Sequence, residues 1–297
     1  MTSIMPYMRG IVLAGGTGTR LWPSTKSVSK QLFPIYDKPL VYYPIATLML
    51  AGIREILMIS TPTDRPSFEK LLGNGVELGI EITYESQPNP EGLAQAFIIG
   101  ADFIGQDNVA LILGDNIFYG SGLGGDLANC TNPDGAIVFG YNVTDPQRYG
   151  VAELDSSGRV ISISEKPETP KSNIAIPGLY FFDNTVLEKA KKVNKSARGE
   201  FEITSIISMY LEENRLKLEL MPRGTAWLDC GTSASLNDAS NYIRVIEERQ
   251  GLKVSCLEEI AWRNGWVTDE RLESLAKSYG KNEYADYLLR ILKKKNT

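Results

Sequence analysis

The amino-acid sequence predicts an α/β fold: a mostly parallel, mixed central sheet covered by helices, with a small helical region at the C-terminal end. Two patterns carry this reading. In the first half, short apolar runs alternate with segments of helical periodicity, which implies right-handed βαβ crossovers. From Ser233 onward the pattern is helical throughout. The composition, 43% hydrophobic and 23% charged over 297 residues, is that of a globular protein large enough for a substantial core.

Residues 10–14, 55–60, 80–85, 109–113 and 136–141 are predicted strands, because each is a short apolar or alternating run. Helical periodicity lies between them over 40–51, 65–72, 92–104 and 123–128. The rhythm then changes. Residues 151–154 and 159–164 read as a hairpin around the turn Asp155-Ser156-Ser157-Gly158, and 174–182 as a further strand. A helix is expected over 201–214 and an alternating strand over 216–221. Helices over 235–250, 257–264, 269–278 and 282–295 complete the chain. No repeat or low-complexity linker divides it, so the expected organisation is a core over 9–232 with a helical region over 233–297 packed on it.

Charge and special residues exclude several function classes. The net charge is −5 and the basic run Lys293-Lys294-Lys295 stands alone, so no nucleic-acid partner is expected. Histidine is absent, which removes Ser-His-Asp triads and the common zinc sites. Three widely spaced cysteines, Cys130, Cys230 and Cys256, suggest neither a disulfide framework nor a zinc ribbon. No apolar stretch approaches the ~20 residues that cross a bilayer, and no signal-peptide pattern opens the sequence. A cytoplasmic protein without a membrane partner is expected, working through carboxylates, lysines, arginines and oxygen-bound metal ions.

The stretch from Gly10 to Pro23, followed by Lys30-Gln31, is the most informative segment. An apolar strand breaks into a loop containing Gly15, Gly16 and Gly18, which delivers Arg20 and then Lys30. Glycines allow backbone N–H groups to approach phosphates, and the cations neutralise them. The spacing is neither that of a P-loop nor that of a dinucleotide fingerprint. A plain glycine turn after a core strand is the alternative.

Asp115 follows the apolar run 109–113, and Asp229 precedes the last helical section. Two aspartates meeting at one site would hold magnesium through hard oxygen ligands; the alternative for Asp229 is a helix cap. Glu165-Lys166-Pro167 ends a strand and is otherwise a solvated edge pair. Arg148 and Arg198 place further cations in loops. The amide of Gln87, in Gln87-Pro88-Asn89-Pro90-Glu91-Gly92, suits a pyrimidine ring, and Gly92 would let a base approach the backbone; otherwise this is a polar proline loop.

Taken together, Gly15-Gly16-Thr17-Gly18-Thr19-Arg20-Leu21 with Pro23 and Lys30, Gly114-Asp115, Glu165-Lys166-Pro167 and Trp227-Leu228-Asp229 resemble the sugar nucleotidyltransferase family. The likeness runs from about Arg9 to the last helix. It implies the family's three-layer, Rossmann-like fold. By resemblance, Gly15, Gly16, Arg20 and Lys30 hold a triphosphate, and Gln31, Gln87 and Gly92 contact the nucleoside. Asp115 and Asp229 bind Mg2+. Asn116, Gly150, Glu165, Lys166, Ile176 and Arg198 line a sugar 1-phosphate side, with Arg20, Lys30 and Lys166 the catalytic cations. The implied reaction joins dTTP and glucose 1-phosphate to give dTDP-glucose and pyrophosphate, supplying dTDP-deoxysugars such as dTDP-rhamnose and cell-surface polysaccharide. A homotetramer is implied as well. Three departures stand out: Cys230 replaces a usual threonine, Ser233-Ala234 replaces His-Asp, and Ser121 stands where relatives often carry histidine near a second nucleotide site. The alternatives are a related transferase with another nucleotide or sugar phosphate, and a non-catalytic nucleotide-sugar sensor.

Overall fold

Alternation of side chains along a strand sends successive residues to opposite faces, so a strand buried on both faces reads as a continuous apolar run. That is how the first strands of this computed structural model are built; residues 7–16 and 18–295 are described, and Thr17 of the glycine loop lies outside them. The first half supplies β1 (Met8–Ala14), β2 (Pro34–Ile35), β3 (Lys38–Pro39), β4 (Glu55–Ser60), β5 (Glu81–Ser86), β6 (Asn108–Leu113), β7 (Asn116–Tyr119) and β8 (Ala136–Asn142). Helices α1 (Tyr42–Leu50), α2 (Arg65–Leu72), α3 (Gln95–Ile99), α4 (Ala101–Ile104) and α5 (Leu123–Ala128) lie between them. The second half adds β9 (Gly150–Leu154), β10 (Val160–Glu165), β11 (Ile174–Ile176), β12 (Leu179–Phe182), β13 (Leu216–Leu220) and β14 (Ala226–Asp229), with α6 (Val186–Lys192) and α7 (Ile203–Glu212). Then come α8 (Ser233–Gln250), α9 (Leu257–Arg263), α10 (Asp269–Ser278) and α11 (Glu283–Lys295).

The main sheet runs β10-β9-β11-β8-β12-β6-β1-β4-β5, with β13 also paired to β8. Strands β6, β1, β4 and β5 are mutually parallel, whereas β12 joins antiparallel between β6 and β8. Val12 and Met58 pack on one face against Ile45 and Met49 of α1 and Phe68 of α2. Ile11 and Leu57 pack on the other face against Phe97 of α3 and Ile206 of α7. The expected three-layer mixed fold is present.

Several elements differ from expectation. The helix expected over 92–104 begins only at Gln95, because Gly92 lies at φ +117°, and Gly100 separates α3 from α4. The strand expected over 174–182 is two. Pro177 has no N–H for a ladder, and Gly178 turns its own N–H to Asn116 Oδ1 at 3.2 Å while its carbonyl accepts from Leu113. The break lets β11 run beside β9 while β12 runs beside β6, so the sheet splays where the large cavity lies. Strands β7 and β14, at four residues each, are too short to announce themselves by periodicity, and α6 is masked by its lysines.

The C-terminal helices join the core through α8, whose Ala239 and Ile243 pack with Ile35, Tyr43 and Ile117, and through α9, whose Leu257 and Ala261 pack with Ile45 and Met49 of α1. Thr232 caps α8, its hydroxyl accepting from Ser235 N–H in a reciprocal capping box. Among the described residues no helix is long and apolar enough to cross a membrane.

Candidate active site

Parallel strands end on the same side, so the loops after β1, β4, β5 and β6 gather along one crest, and ligands of open α/β sheets collect there. Gly15 and Gly16 follow β1, Gln87 follows β5, and Asp115 follows β6. The chain steps from β1 to β4 and β5 on one side, then returns to β6 on the other. The glycine loop and Asp115 therefore flank the point where strand order reverses.

Two adjoining cavities open there. One, of about 220 Å³, is lined by Gly15, Gly16, Lys30, Gln31, Gln87 and Gly92. The other, of about 600 Å³, is lined by Arg20, Asn116, Gly150, Glu165, Lys166, Ile176, Arg198 and Asp229. They share Leu93, Leu113 and Asp115. Each residue to which the resemblance gives a substrate, catalytic or metal role thus lines one cavity or both.

The smaller cavity is made by close backbone approach. A Cβ on Gly15 would lie 2.3 Å from Gln87 Oε1, and one on Gly92 would lie 2.5 Å from Phe201 N and O. Gly92 is therefore required by the packing, its neighbour being backbone, whereas a side chain at Gly15 would displace the Gln87 amide. Gln95 Oε1 accepts from Gln87 Nε2 at 2.7 Å, which orients the Gln87 amide oxygen toward Gly15. Ser29 donates to Gln31 Oε1 at 2.5 Å and leaves the Gln31 Nε2 donor for the cavity. One buried amide thus offers an acceptor and the other a donor.

The two aspartates meet through the β7–β14 ladder, a connection with no sequence signal. Its register sets Asp229 opposite Asn116, the residue after Asp115, and Cys230 N–H donates to Asp115 O at 2.9 Å. Asp229 belongs to β14 and is not the cap of α8, which removes the alternative reading of it. Asp115 accepts from Lys30 Nζ at 2.5 Å and Asn116 Nδ2 at 2.8 Å. Burial pushes its carboxyl up, but the Lys30 ammonium and these hydrogen bonds outweigh that and hold it below the ordinary carboxylate range. Asp229 accepts from Arg148 at 3.0 Å and from the Tyr149 hydroxyl at 3.2 Å. Burial, with the nearby Asp115 charge adding to it, leaves the Asp229 carboxyl above its usual value despite Arg148.

The sequence placed Asn116 on the sugar side, and the structure gives it a further duty. Its Oδ1 accepts from Trp227 Nε1 at 2.7 Å and from Gly178 N–H, so Asn116 ties β7, β14 and the broken strand together behind Asp115. On the outer wall, Arg198 reaches Glu165 and Glu202 at 3.3 Å and Glu200 at 3.2 Å. Lys166 lies 3.8 Å from Glu165 and adopts a left-handed φ of +39°. Such a conformation in a non-glycine residue is a strain commonly kept at functional sites. Burial and the Glu202 charge push the Glu165 carboxyl up.

A model of the nucleotidyl transferase family matches residues 9–245. The chain belongs to the nucleotidyl transferase family. Among its relatives is a glucose-1-phosphate thymidylyltransferase of Mycobacterium tuberculosis (strain ATCC 25618 / H37Rv), 56% identical over 97% of this chain and 100% of the relative. Another, of Neisseria meningitidis serogroup A, is 55% identical over the same shares. A crystal structure titled as a putative glucose-1-phosphate thymidylyltransferase from Bacillus anthracis, in complex with a sucrose, superposes with a TM-score of 0.74. It is 38% identical and covers 80% of this chain and 95% of that one. A UDP-glucose pyrophosphorylase structure, 24% identical, shares the fold with a TM-score of 0.71.

Seen as a nucleotidyl transferase, the chain has one conspicuous cation: Arg20 makes no ion pair among the described residues and faces the larger cavity beside Gly231. Sequence reasoning missed Gln95, Tyr149 as a partner of Asp229, Trp227 and Glu202. Trp227 stacks edge-on against Tyr149 at 4.9 Å, and its place two residues before Asp229 on one strand face was the available signal. Nothing in the sequence pointed to Glu202.

Proposed function

We propose that this nucleotidyl transferase moves a thymidylyl group from dTTP to glucose 1-phosphate, giving dTDP-glucose and pyrophosphate. The observation that carries the reading is the β7–β14 register, which sets Asp229 beside Asp115 at the wall shared by the two cavities. The nucleotide occupies the smaller cavity, with the Gln87 acceptor and the Gln31 donor facing the N–H and a carbonyl of the base. Gly15, Gly16 and Lys30 hold its phosphates. Glucose 1-phosphate occupies the larger cavity, with Lys166 and Arg198 at its phosphate and Glu165, Gly150, Ile176 and Asn116 around it.

A sugar phosphate is largely dianionic at neutral pH, its second pKa being about 6. Its oxygen therefore attacks the α-phosphorus without a strong general base, and the absence of histidine is no obstacle. The work left to the protein is to hold two mutually repelling anions in line and neutralise the charge that develops. Arg20, which makes no ion pair among the described residues, is suited to that charge.

The donor set fits magnesium. Two carboxylates line one cavity and Asp229 feels the Asp115 charge, while among the described residues no group of three or more acidic, histidine or cysteine residues is placed to hold a metal ion. Magnesium in phosphate enzymes takes one or two carboxylates and completes its shell with water and phosphate oxygens. Asp115 and Asp229 would hold it. When bound it supplies charge neutralisation on the phosphates.

The core over 9–232, its helical support over 233–297, a homotetramer and a cytoplasmic setting complete the proposal; the family resemblance supports the tetramer. The test is pyrophosphate release from a matrix of nucleoside triphosphates and sugar 1-phosphates. Turnover is expected with dTTP and glucose 1-phosphate. None with that pair, against turnover with another, would reassign the substrates; none with any pair would leave a nucleotide-sugar sensor.

A further inference from the structure

A third cavity, of about 520 Å³, adjoins the glycine loop and is lined by Gly16, Gly18, Lys26, Ser27, Lys30 and Thr63 among others. It shares Gly16 and Lys30 with the nucleotide cavity and nothing with the sugar-phosphate cavity, whereas those two share Leu93, Leu113 and Asp115. The three therefore lie in a row, with the nucleotide cavity in the middle. An in-line displacement at the α-phosphorus places the entering and leaving oxygens on opposite sides. With the sugar phosphate entering from one end of the row, the leaving group departs toward the other.

The chemistry of this end suits a small polyanion. Lys26 is exposed, forms no ion pair among the described residues, and holds its ammonium 5.2 Å from the centre of the Trp22 ring. The hydroxyls of Ser27 and Thr63 have no hydrogen-bond partner among the described residues and line the same space. The acid at its wall, Asp64, already accepts from the Thr61 hydroxyl at 2.7 Å. Gly16 and Gly18, at φ +111° and +57°, line the space without a side chain of their own.

We propose that this cavity receives the pyrophosphate, with the Lys26 ammonium and the Ser27 and Thr63 hydroxyls as its donors. The inference rests on the nucleotidyl-transfer reading. A sugar-phosphate oxygen bonds to the α-phosphorus, the bond from that phosphorus to the oxygen bridging to the β-phosphate breaks, and the electron pair leaves on pyrophosphate. No proton has to move.

The reverse reaction tests it, with the full chain, magnesium, dTDP-glucose and pyrophosphate. Lys26→Gln raises the KM for pyrophosphate about tenfold, the size of one lost hydrogen bond to a charged group. The KM for dTDP-glucose stays unchanged, and Lys26→Arg recovers most of the loss. Thr63→Val gives a smaller rise in the same constant. A Lys26→Gln enzyme with the wild-type KM for pyrophosphate, or with both KM values raised alike, overturns the assignment while leaving the transfer reading intact. Wild-type protein that consumes no sugar nucleotide in the presence of pyrophosphate removes both.

Discussion

Where α8 meets the β2–β3 hairpin, Lys38 bonds Asp37 and Glu247, and Lys253 bonds the same two carboxylates. In the cleft, Lys30 bonds Asp115 and Arg148 bonds Asp229, a pattern of alternating charge that looks alike on paper. The surroundings differ. The Lys38 and Glu247 side chains are 2% and 5% exposed, and Val254 N–H completes the Glu247 shell at 2.8 Å. In the cleft the same pairing is 18–41% exposed, opens onto a cavity, and has the unpaired Arg20 nearby. The first network is the more deeply buried at Lys38 and Glu247, although Glu247 and Lys253 edge a surface cavity of about 380 Å³, and each of its lysines already bonds two carboxylates. The second retains capacity for an outside anion, and this separates a binding site from a structural bolt even though both perturb carboxyl groups.

The comparison would be tested most sharply by Lys38→Met. It leaves two buried carboxylates short of a cation and is expected to remove about 4 kcal/mol of stability, read as a fall in the urea midpoint. The molecules that remain folded should retain their KM values. Arg20→Ala is the mirror experiment in the cleft. Turnover should fall by about 10² to 10³, well beyond any weakening of dTTP binding, with the urea midpoint within about 0.5 kcal/mol of wild type. Unchanged turnover would sink the transition-state role of Arg20.

Asp37→Asn sharpens the contrast through pH. Burial raises the Asp37 carboxyl, but Lys38 and Lys253 more than offset this and hold it below its ordinary value. A depressed carboxyl stabilises the fold above its unfolded value of about 3.9 and ceases to do so as pH falls through its lower folded value. The variant should therefore be about 2 kcal/mol less stable near neutrality, a deficit that shrinks below about pH 4. A deficit independent of pH would show that packing, not charge, is lost. At the small end, Glu69→Gln breaks the exposed pair with Arg65. It should change stability by about 0.4 kcal/mol and activity not at all.

The nucleotide wall was more legible than the sugar wall. Gly15, Gln87 and Asp115 follow strands whose runs are plain in the sequence, and the crest rule of parallel sheets brings such loops together, with Lys30 delivered by the turns after the glycine loop. The sugar wall depends on β11 and β12 parting at Pro177-Gly178, read from the sequence as one strand, and on two strands too short to recognise. The duty of Gln95 in turning the Gln87 amide, and of Tyr149 in bonding Asp229, arises from contacts between distant segments that no local spacing encodes.

By itself the sequence determined the α/β alternation, the glycine loop with its cations, and the candidacy of Asp115, Asp229, Gln87 and Glu165, because these depend on local periodicity, turn chemistry and side-chain type; Asn116, Gly150 and Ile176 became candidates only through the family resemblance. Only the tertiary structure decided that Asp229 stands beside Asp115 rather than capping α8, that Gly92 is fixed by the Phe201 backbone, and that Lys38 is a bolt while Lys30 faces ligand space. Those outcomes turn on strand register and burial. Both are set by how the whole chain packs, and residues identical in type acquire different work from the water and space left around them.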